Sequence, residues 1–461
     1  SFGCTSTAVY GMISIGSPGR EGEHSNVKIK ALAFVLTAAL LLCGCGQKSE
    51  TAAATPAQAV TASAAQSSTA RPVSTGVTPE QFGAKGDGIA DDLRALQAAM
   101  QQASASGRSL ELTAGAVYRF SSCLGLPSGL TIQGNGAVLL SDIQYPDLRE
   151  DRVAVELMKD SDDDRAHDVR LENVTFRAAD SCQANYMLRV MLARNVEFVG
   201  CTFDCEPNEW GRCAADLYGG NENIRFEGCV FRQMTSGASG GIWVRNWTDR
   251  VESRNIRFQN CEFYKSGADE LLAVWGWGGA VRDVVLSGCS FYETQTQEAL
   301  DADYRPVWFI TLGQSGTTDV RMEDCTVRAE YCETIFRMVG DKTRAVVDNC
   351  DITMKQPDSM AKHDMKKGAN PMLARGNDRA DGSTVIQNSR ITLSGDNGRR
   401  ICYQLSALKG NTLDVSLGYG IAGTKEVSGN TIRGRIRHKV FQDCSGVENN
   451  NVEVRRFSIL G

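Results

Sequence analysis

One pattern returns along most of the chain, and a chain made of copies of one short unit can bury its apolar faces only by stacking the copies. The pattern reads VRLENVTF from 169, VEFVGCTF from 196, IRFEGCVF from 224, IRFQNCEF from 256, VVLSGCSF from 284 and VRMEDCTV from 320. Weaker copies follow as AVVDNCDI from 345, TVIQNSRI from 384, SALKGNTL from 406, KEVSGNTI from 425 and GVENNNVE from 446. In each, apolar and polar residues alternate as in a strand, the alternation breaks at one residue, and it resumes with apolar positions of opposite parity. The breaking residues are Asn173, Gly200, Gly228, Asn260, Gly288, Asp324, Asn349, Asn388, Gly410, Gly429 and Asn449. Only Gly, Asn and Asp stand there, the residues that tolerate a left-handed backbone, so each copy is two strands joined by a bend.

The breaks recur 19 to 39 residues apart, which makes the shortest interval one bare coil and the excess loops projecting from it. Rungs stack at about 4.8 Å, so eleven would extend on the order of 50 Å. Cys201, Cys229, Cys261, Cys289, Cys325 and Cys350 follow six consecutive breaks, and Phe203, Phe231, Phe263 and Phe291 stand two residues further on. These form internal ladders of like side chains. A metal or redox array is the other reading of the cysteines, but no CxxC spacing supports it, and a thiol is also a small buried hydrophobe. Cys205 and Cys213 flank a short loop and are the best disulfide candidate.

Before the repeats stands VTPEQFGAKGDGIADDLRALQAAMQQASASGRSLELTAGAVYRF. It reads as a glycine-turned loop, Asp91 or Asp92 at a helix N-cap, and a helix from about Leu93 to Ala103. The face carrying Leu93, Leu96, Ala99 and Met100 would cover the open end of the coil and block edge pairing. FGAKGDG followed by ADD, an Ala-rich helix and a Gly–Tyr strand resembles the opening motif of the pectate lyase superfamily, shared by polygalacturonase-like, epimerase-like and tailspike β-helices. Leu93 stands where that motif usually has Thr, and Thr113 or Ala114 where Pro is common. The resemblance implies an all-β, single-stranded right-handed parallel β-helix from Val77 to Gly461 with an N-terminal capping helix. It also implies a polysaccharide partner bound along an outward face. The aspartates of GDG and ADD are read as structural.

Upstream, Val27-Lys28-Ile29-Lys30 and the apolar run ALAFVLTAALLLCGC make a secretory signal at 27–44, too short to span a membrane comfortably. Leu42-Cys43-Gly44-Cys45 resembles a bacterial lipobox, which implies lipidation of Cys45 and a membrane partner through that anchor. Gly46 in place of Asp implies an outer-membrane lipoprotein, periplasmic or on the cell surface. Residues 1–26 are expected to be over-extended reading frame, and 45–76, rich in Ala, Thr, Ser and Gln, a flexible tether. A formal charge of −6 and the absence of a basic tract argue against nucleic acid as a partner.

No nucleophile elbow, zinc-binding motif or phosphate loop appears, and His167, His363 and His438 stand in unrelated contexts, so the chemistry is sought among carboxylates. Aligning the strands that precede each bend places Asp216, Gly241, Glu270, Arg305 and Glu333 near one column, beside an aromatic strip of Tyr218, Trp243, Trp275, Trp277 and Trp308. Flat apolar rings with a polar edge suit a sugar face. Asp216 with Glu270, or Glu270 with Glu333, would stand two rungs apart, which suits an inverting glycosidase, whose carboxyl groups lie roughly 6.5–9.5 Å apart. Asp269, Asp301 and Asp303 are loop alternatives. A lyase would instead use Arg305, with Arg245 and Arg337, to neutralise a uronate, and acidic residues could hold calcium. Asp162, Asp163 and Asp164 are a second, weaker calcium candidate against a solvated turn. The expectation is a polysaccharide-cleaving hydrolase or lyase. The alternatives are a non-catalytic glycan-binding or adhesive rod and a polymer-level uronate epimerase.

Overall fold

The structure, a computed structural model, describes residues 76–144, 152–159, 164–205, 213–234, 241–246, 251–265, 270–293, 308–357, 371–377, 381–395 and 398–456. Contacts divide the chain into two units, Ser1–Ala70 and Arg71–Gly461. The expected leader, Cys45 and all of the tether except Gly76 lie outside the described residues. Among those described, no helix is long and apolar enough to cross a membrane.

The second unit is a parallel β-helix. Each coil passes through three sheets in turn, here called C, A and B. The third full coil shows the order: Tyr186–Met191 in sheet C, Ala193–Val199 in sheet A, Thr202–Asp204 in sheet B, then Cys213–Gly219 back in sheet C. Sheet B has fourteen strands; sheets A and C together have 24, because Leu272–Ser287 runs through the corner between them. All eleven breaks read in the sequence are positive-φ residues at the A-to-B bend, with φ between 50° and 66°. For the residues with a Cβ this is a backbone state costing roughly 1–2 kcal/mol, which explains why only Gly, Asn and Asp stand there.

Because that bend is sterically fixed, length variation is carried by the other two corners, most of all the B-to-C corner. The connection there runs from one residue, 418, to fifteen, 356–370. The longest connections therefore flank sheet C, and loops on a rigid scaffold are where binding residues concentrate.

The core follows from register. Phe176, Phe203, Phe231, Phe263 and Phe291 are partners on successive strands of sheet B, and their rings stack at 4.5–5.0 Å. Phe198, Phe226 and Phe258 do the same in sheet A at 4.8 and 4.9 Å. The ring spacing equals the rung spacing, so stacking adds to burial in every coil. The six ladder cysteines are buried thiols, and each donates to a carbonyl of the preceding coil: Cys201 to Leu171 at 3.5 Å, Cys229 to Phe198 at 3.3 Å, Cys261 to Phe226 at 3.5 Å. Where the cysteines end, Asn411, Asn430 and Asn450 take the same position and donate to Ile386, Leu408 and Val427 at 2.7–3.0 Å. The slot takes a small buried side chain, Val174 in the first copy, and Cys and Asn gain a hydrogen bond there as well.

The expected disulfide is not formed: the Cys213 thiol donates to the Ala215 and Gly241 carbonyls. The opening helix α1 spans Leu93–Ser106 and buries Ala95, Leu96, Ala99, Met100 and Ala103; Leu93 is only half-buried. Asp92 precedes it without capping it. Its buried carboxylate instead accepts the Lys85 and Gly86 backbone N–H groups at 2.7 and 3.0 Å and pins the glycine loop.

Candidate functional site

Sheet C presents one outward column, fixed by pairing: Glu156, Arg189, Asp216, Trp243, Ala273, Thr311, Arg337, Arg375 and Tyr403 are partners on successive strands. Neighbouring residues such as Ala215, Leu217, Ile242 and Val244 point the other way, into the core. The column divides into two halves of different character.

In the first half, Asp216 has no exposed surface. Arg245 holds it bidentately, Nε to Oδ1 at 2.7 Å and Nη2 to Oδ2 at 2.8 Å, and Arg189 Nε reaches Oδ2 at 3.1 Å. The guanidiniums lie over aromatic rings, Arg245 4.1 Å from the Trp243 centroid and 4.8 Å from that of Tyr218, and Arg189 4.4 Å from that of Tyr186. Trp243 packs against Trp275 at 5.3 Å and is itself buried. Trp277 is 59% exposed. Burial and the Asp216 carboxylate push the Cys213 thiol far up, so it is no nucleophile.

In the second half, Trp308 is the register partner of Thr334, and the pairing of Leu272 with Ile310 continues to set Glu270 opposite Trp308. Glu270 and Glu333 therefore stand just before the strands either side of Trp308's, displaced from each other by one residue along the chain. Their backbones are about 10 Å apart by rung spacing. Both are nearly buried. Thr311 Oγ1 donates to Glu270 Oε1 at 2.6 Å, and Arg337 Nη1 lies 3.5 Å from the same oxygen. Glu333 Oε1 is 3.9 Å from Arg399 Nη1, and Arg399 also donates to the Glu333 carbonyl. Burial pushes the Glu333 carboxyl up, against the opposing pull of Arg399 and Arg375. A cavity of about 300 Å³ opens beside this pair, lined by Trp308, Arg337, Val339, Arg375, Gly376, Asn377 and Gln404.

The expected column of Asp216, Gly241, Glu270, Arg305 and Glu333 is not the one that forms. Asp216 is aligned with Trp243 and Ala273, three residues beyond Glu270, so Asp216 and Glu270 are separated by two rungs and by about 10 Å along the strand, roughly 14 Å in all. The reason is the C-to-A corner: from the true column to the bend is 12 residues for Asp216 to Gly228, 17 for Trp243 to Asn260 and 15 for Ala273 to Gly288. Counting back from the bend cannot recover that register. Arg305, Asp269, Asp301, Asp303, Asp162 and Asp163 lie outside the described residues; Asp164 pairs with Lys159 at 3.1 Å. Among the described residues, no three His, Cys, Asp or Glu side chains group where they could hold a metal ion. Sequence reading missed Tyr186, Arg189, Thr311, Arg375 and Arg399. Arg189 was findable as the one charged residue in the apolar strand YMLRVM, whereas Arg399 stands just before a strand two coils beyond Glu333's.

A parallel β-helix with a charged and aromatic outward face on one sheet defines the class as pectate lyase-like in fold. The chain belongs to the family described as rhamnogalacturonase A/epimerase, pectate lyase-like, which matches residues 77–369. A search of curated proteins gives no match. Among solved structures, it is similar to a surface adhesin of Streptococcus pneumoniae at 15% identity and a TM-score of 0.48, covering 80% of this chain and 91% of that one. It is also similar to the A-module of a mannuronan C-5 epimerase of Azotobacter vinelandii at 15% identity and 0.42, over 83% and 100% of the two chains. A family 28 exopolygalacturonase of Yersinia enterocolitica matches at 11% and 0.43, over 83% and 79%.

Proposed function

We propose that this protein binds a polysaccharide along the outward groove of sheet C and hydrolyses its glycosidic bonds, with Glu333 as general acid and Glu270 as general base. The observation that carries this reading is the placing of two nearly buried carboxylates at the starts of the strands either side of Trp308's, two rungs apart. That spacing supports inversion, in which a water fits between the base and the sugar. Glu333 would give its proton to the leaving oxygen as the glycosidic bond breaks. Glu270, oriented by Thr311 and Arg337, would take a proton from the water that attacks the anomeric carbon. The indole of Trp308 offers the sugar an apolar face between them.

The test is incubation of the purified protein with neutral and uronic polysaccharides, with and without calcium, following reducing ends and ultraviolet absorbance together. Reducing ends without unsaturated products are expected. Unsaturated ends would replace hydrolysis by elimination, and retardation without cleavage would replace it by an adhesive or glycan-binding role.

We propose in addition that Cys45 is lipidated and anchors the chain at the outer membrane. Metabolic labelling with a radioactive fatty acid should mark the wild-type protein and not Cys45→Ala; equal labelling of both would sink this.

A further inference from the structure

Sheet A carries a row of side chains that its fold does not require. Near the starts of five successive sheet A strands, Asp168, Asn195, Asn223, Asn255 and Asp283 hold a left-handed backbone, with φ between 53° and 57°. In the same five coils the A-to-B bend meets that requirement with Gly200, Gly228 and Gly288 as well as with Asn173 and Asn260. Glycine adopts this backbone without the steric cost of a Cβ, so its absence from all five kinks says that the side chains themselves are used. They form a ladder on the surface: Asn255 Nδ2 donates to Asn223 Oδ1 at 2.6 Å, Asn223 Nδ2 to Asn195 Oδ1 at 2.9 Å and Asn195 Nδ2 to Asp168 Oδ1 at 2.8 Å. An amide has two N–H donors and an oxygen with two lone pairs, so Asn195 and Asn223, both exposed, each keep one donor and one acceptor among the described residues.

A cavity of about 490 Å³ lies between these amides and the outward column of Arg170, Arg225 and Arg257. The charges of that second wall are already taken up. Arg170 and Arg225 share Glu197, Arg225 also meets Glu227 at 2.7 Å, and Arg257 meets Asp283 at 2.6 Å. What the wall offers a ligand is the aliphatic stems of the arginines.

From this arrangement we infer that the groove on sheet A is a second binding site, taking a neutral polysaccharide that lies along the axis of the coil, apart from the carboxylate pair of sheet C. A hydroxyl both donates and accepts, so a sugar can use the donor and the acceptor that each amide keeps, while its C–H face rests on the arginine stems. The amides repeat at the rung spacing of about 4.8 Å; an extended peptide repeats its outward groups every two residues, about 6.6–6.8 Å, and falls out of step with them. A sugar chain bears hydroxyls on every ring and can meet each rung. The site would hold the protein on a polymer whether or not that polymer is cleaved.

The experiment is native affinity electrophoresis of the full chain in gels containing dextran, galactan, glucomannan or gelatin, at low and high salt. Retardation by at least one of the three polysaccharides, unchanged by salt, is expected, because the charges of the groove are paired among themselves. The double variant Asn195→Gly with Asn223→Gly keeps the left-handed backbone and removes both amides. It should weaken that affinity about tenfold or more, through the hydrogen bonds lost to the ligand. If circular dichroism shows that it does not fold, Asn223→Asp replaces it, keeping the shape and losing the N–H, and should weaken binding about threefold or more. Equal retardation of wild type and variant overturns the site; if Trp308→Ala then abolishes the retardation, the polymer lies on sheet C and the reading of that sheet stands. Absence of retardation by all three polysaccharides, retardation that salt abolishes, or retardation by gelatin alone, which would assign the ladder to a polypeptide, likewise overturns it.

Discussion

Asp216→Ala is expected to destabilise the fold by about 3–5 kcal/mol, the magnitude found when one partner of a buried ion pair is removed. The carboxylate is fully buried and takes three charged hydrogen bonds from Arg189 and Arg245. Without it, two guanidiniums that are themselves nearly buried lose the carboxylate they share. Asp216→Asn keeps the shape and removes the charge, so it should lose most of the same stability. Replacing Asp216, Arg189 and Arg245 together by apolar residues should recover much of it, because an absent ion pair leaves nothing unpaired. Equilibrium urea unfolding checks this, read through the fluorescence of Trp243 and Trp275, which pack beside the cluster. A midpoint unchanged in Asp216→Ala would remove the structural role and return the residue to the candidates for acid or base.

Asp216 also shows where the sequence is transparent and where it is not. Every bend from Asn173 to Asn449 was legible, because a positive φ admits few residue types and the chain meets that restriction eleven times. The ladders were legible for the same reason: Phe203, Phe231 and Phe263 are held at one rung spacing by pairing that tolerates no slip. Sheet C was not. Its strands are separated from the bends by a corner whose length varies, and its outward side chains are chosen for neighbours one or two strands away. Asp216 and Arg245, or Glu333 and Arg399, meet across 29 and 66 residues of chain. Such pairs leave no periodic trace. Glu270, Trp308 and Glu333 nevertheless fell on adjacent coils as read, because that part of the alignment crosses no irregular corner between the residues and their strand starts.

Glu333→Gln should lower the rate of cleavage of a natural polymer by about 10²–10⁴-fold, the range that a positioned proton donor contributes, while binding to the groove persists. Its signature is a dependence on the leaving group. A glycoside whose leaving group needs no proton should be cleaved nearly as fast by Glu333→Gln as by wild type, whereas Glu270→Gln should be slow on both, since the water still has no base. The pH profile gives the sign independently. Burial raises the Glu333 carboxyl above the ordinary carboxylate range, so the wild-type rate, which needs the protonated form, should fall as pH rises through that raised value. Folding stability carries the same linkage. A group whose folded pKa is raised stabilises the fold below its unfolded pKa, and that contribution is lost as pH rises from the unfolded value through the folded one. Glu333→Gln should remove both the basic limb of the rate and this part of the stability loss. A variant that kept the wild-type limb would show that the acid is another residue, and a variant equally slow on activated and natural substrates would show that Glu333 acts by holding the groove in shape and transfers no proton.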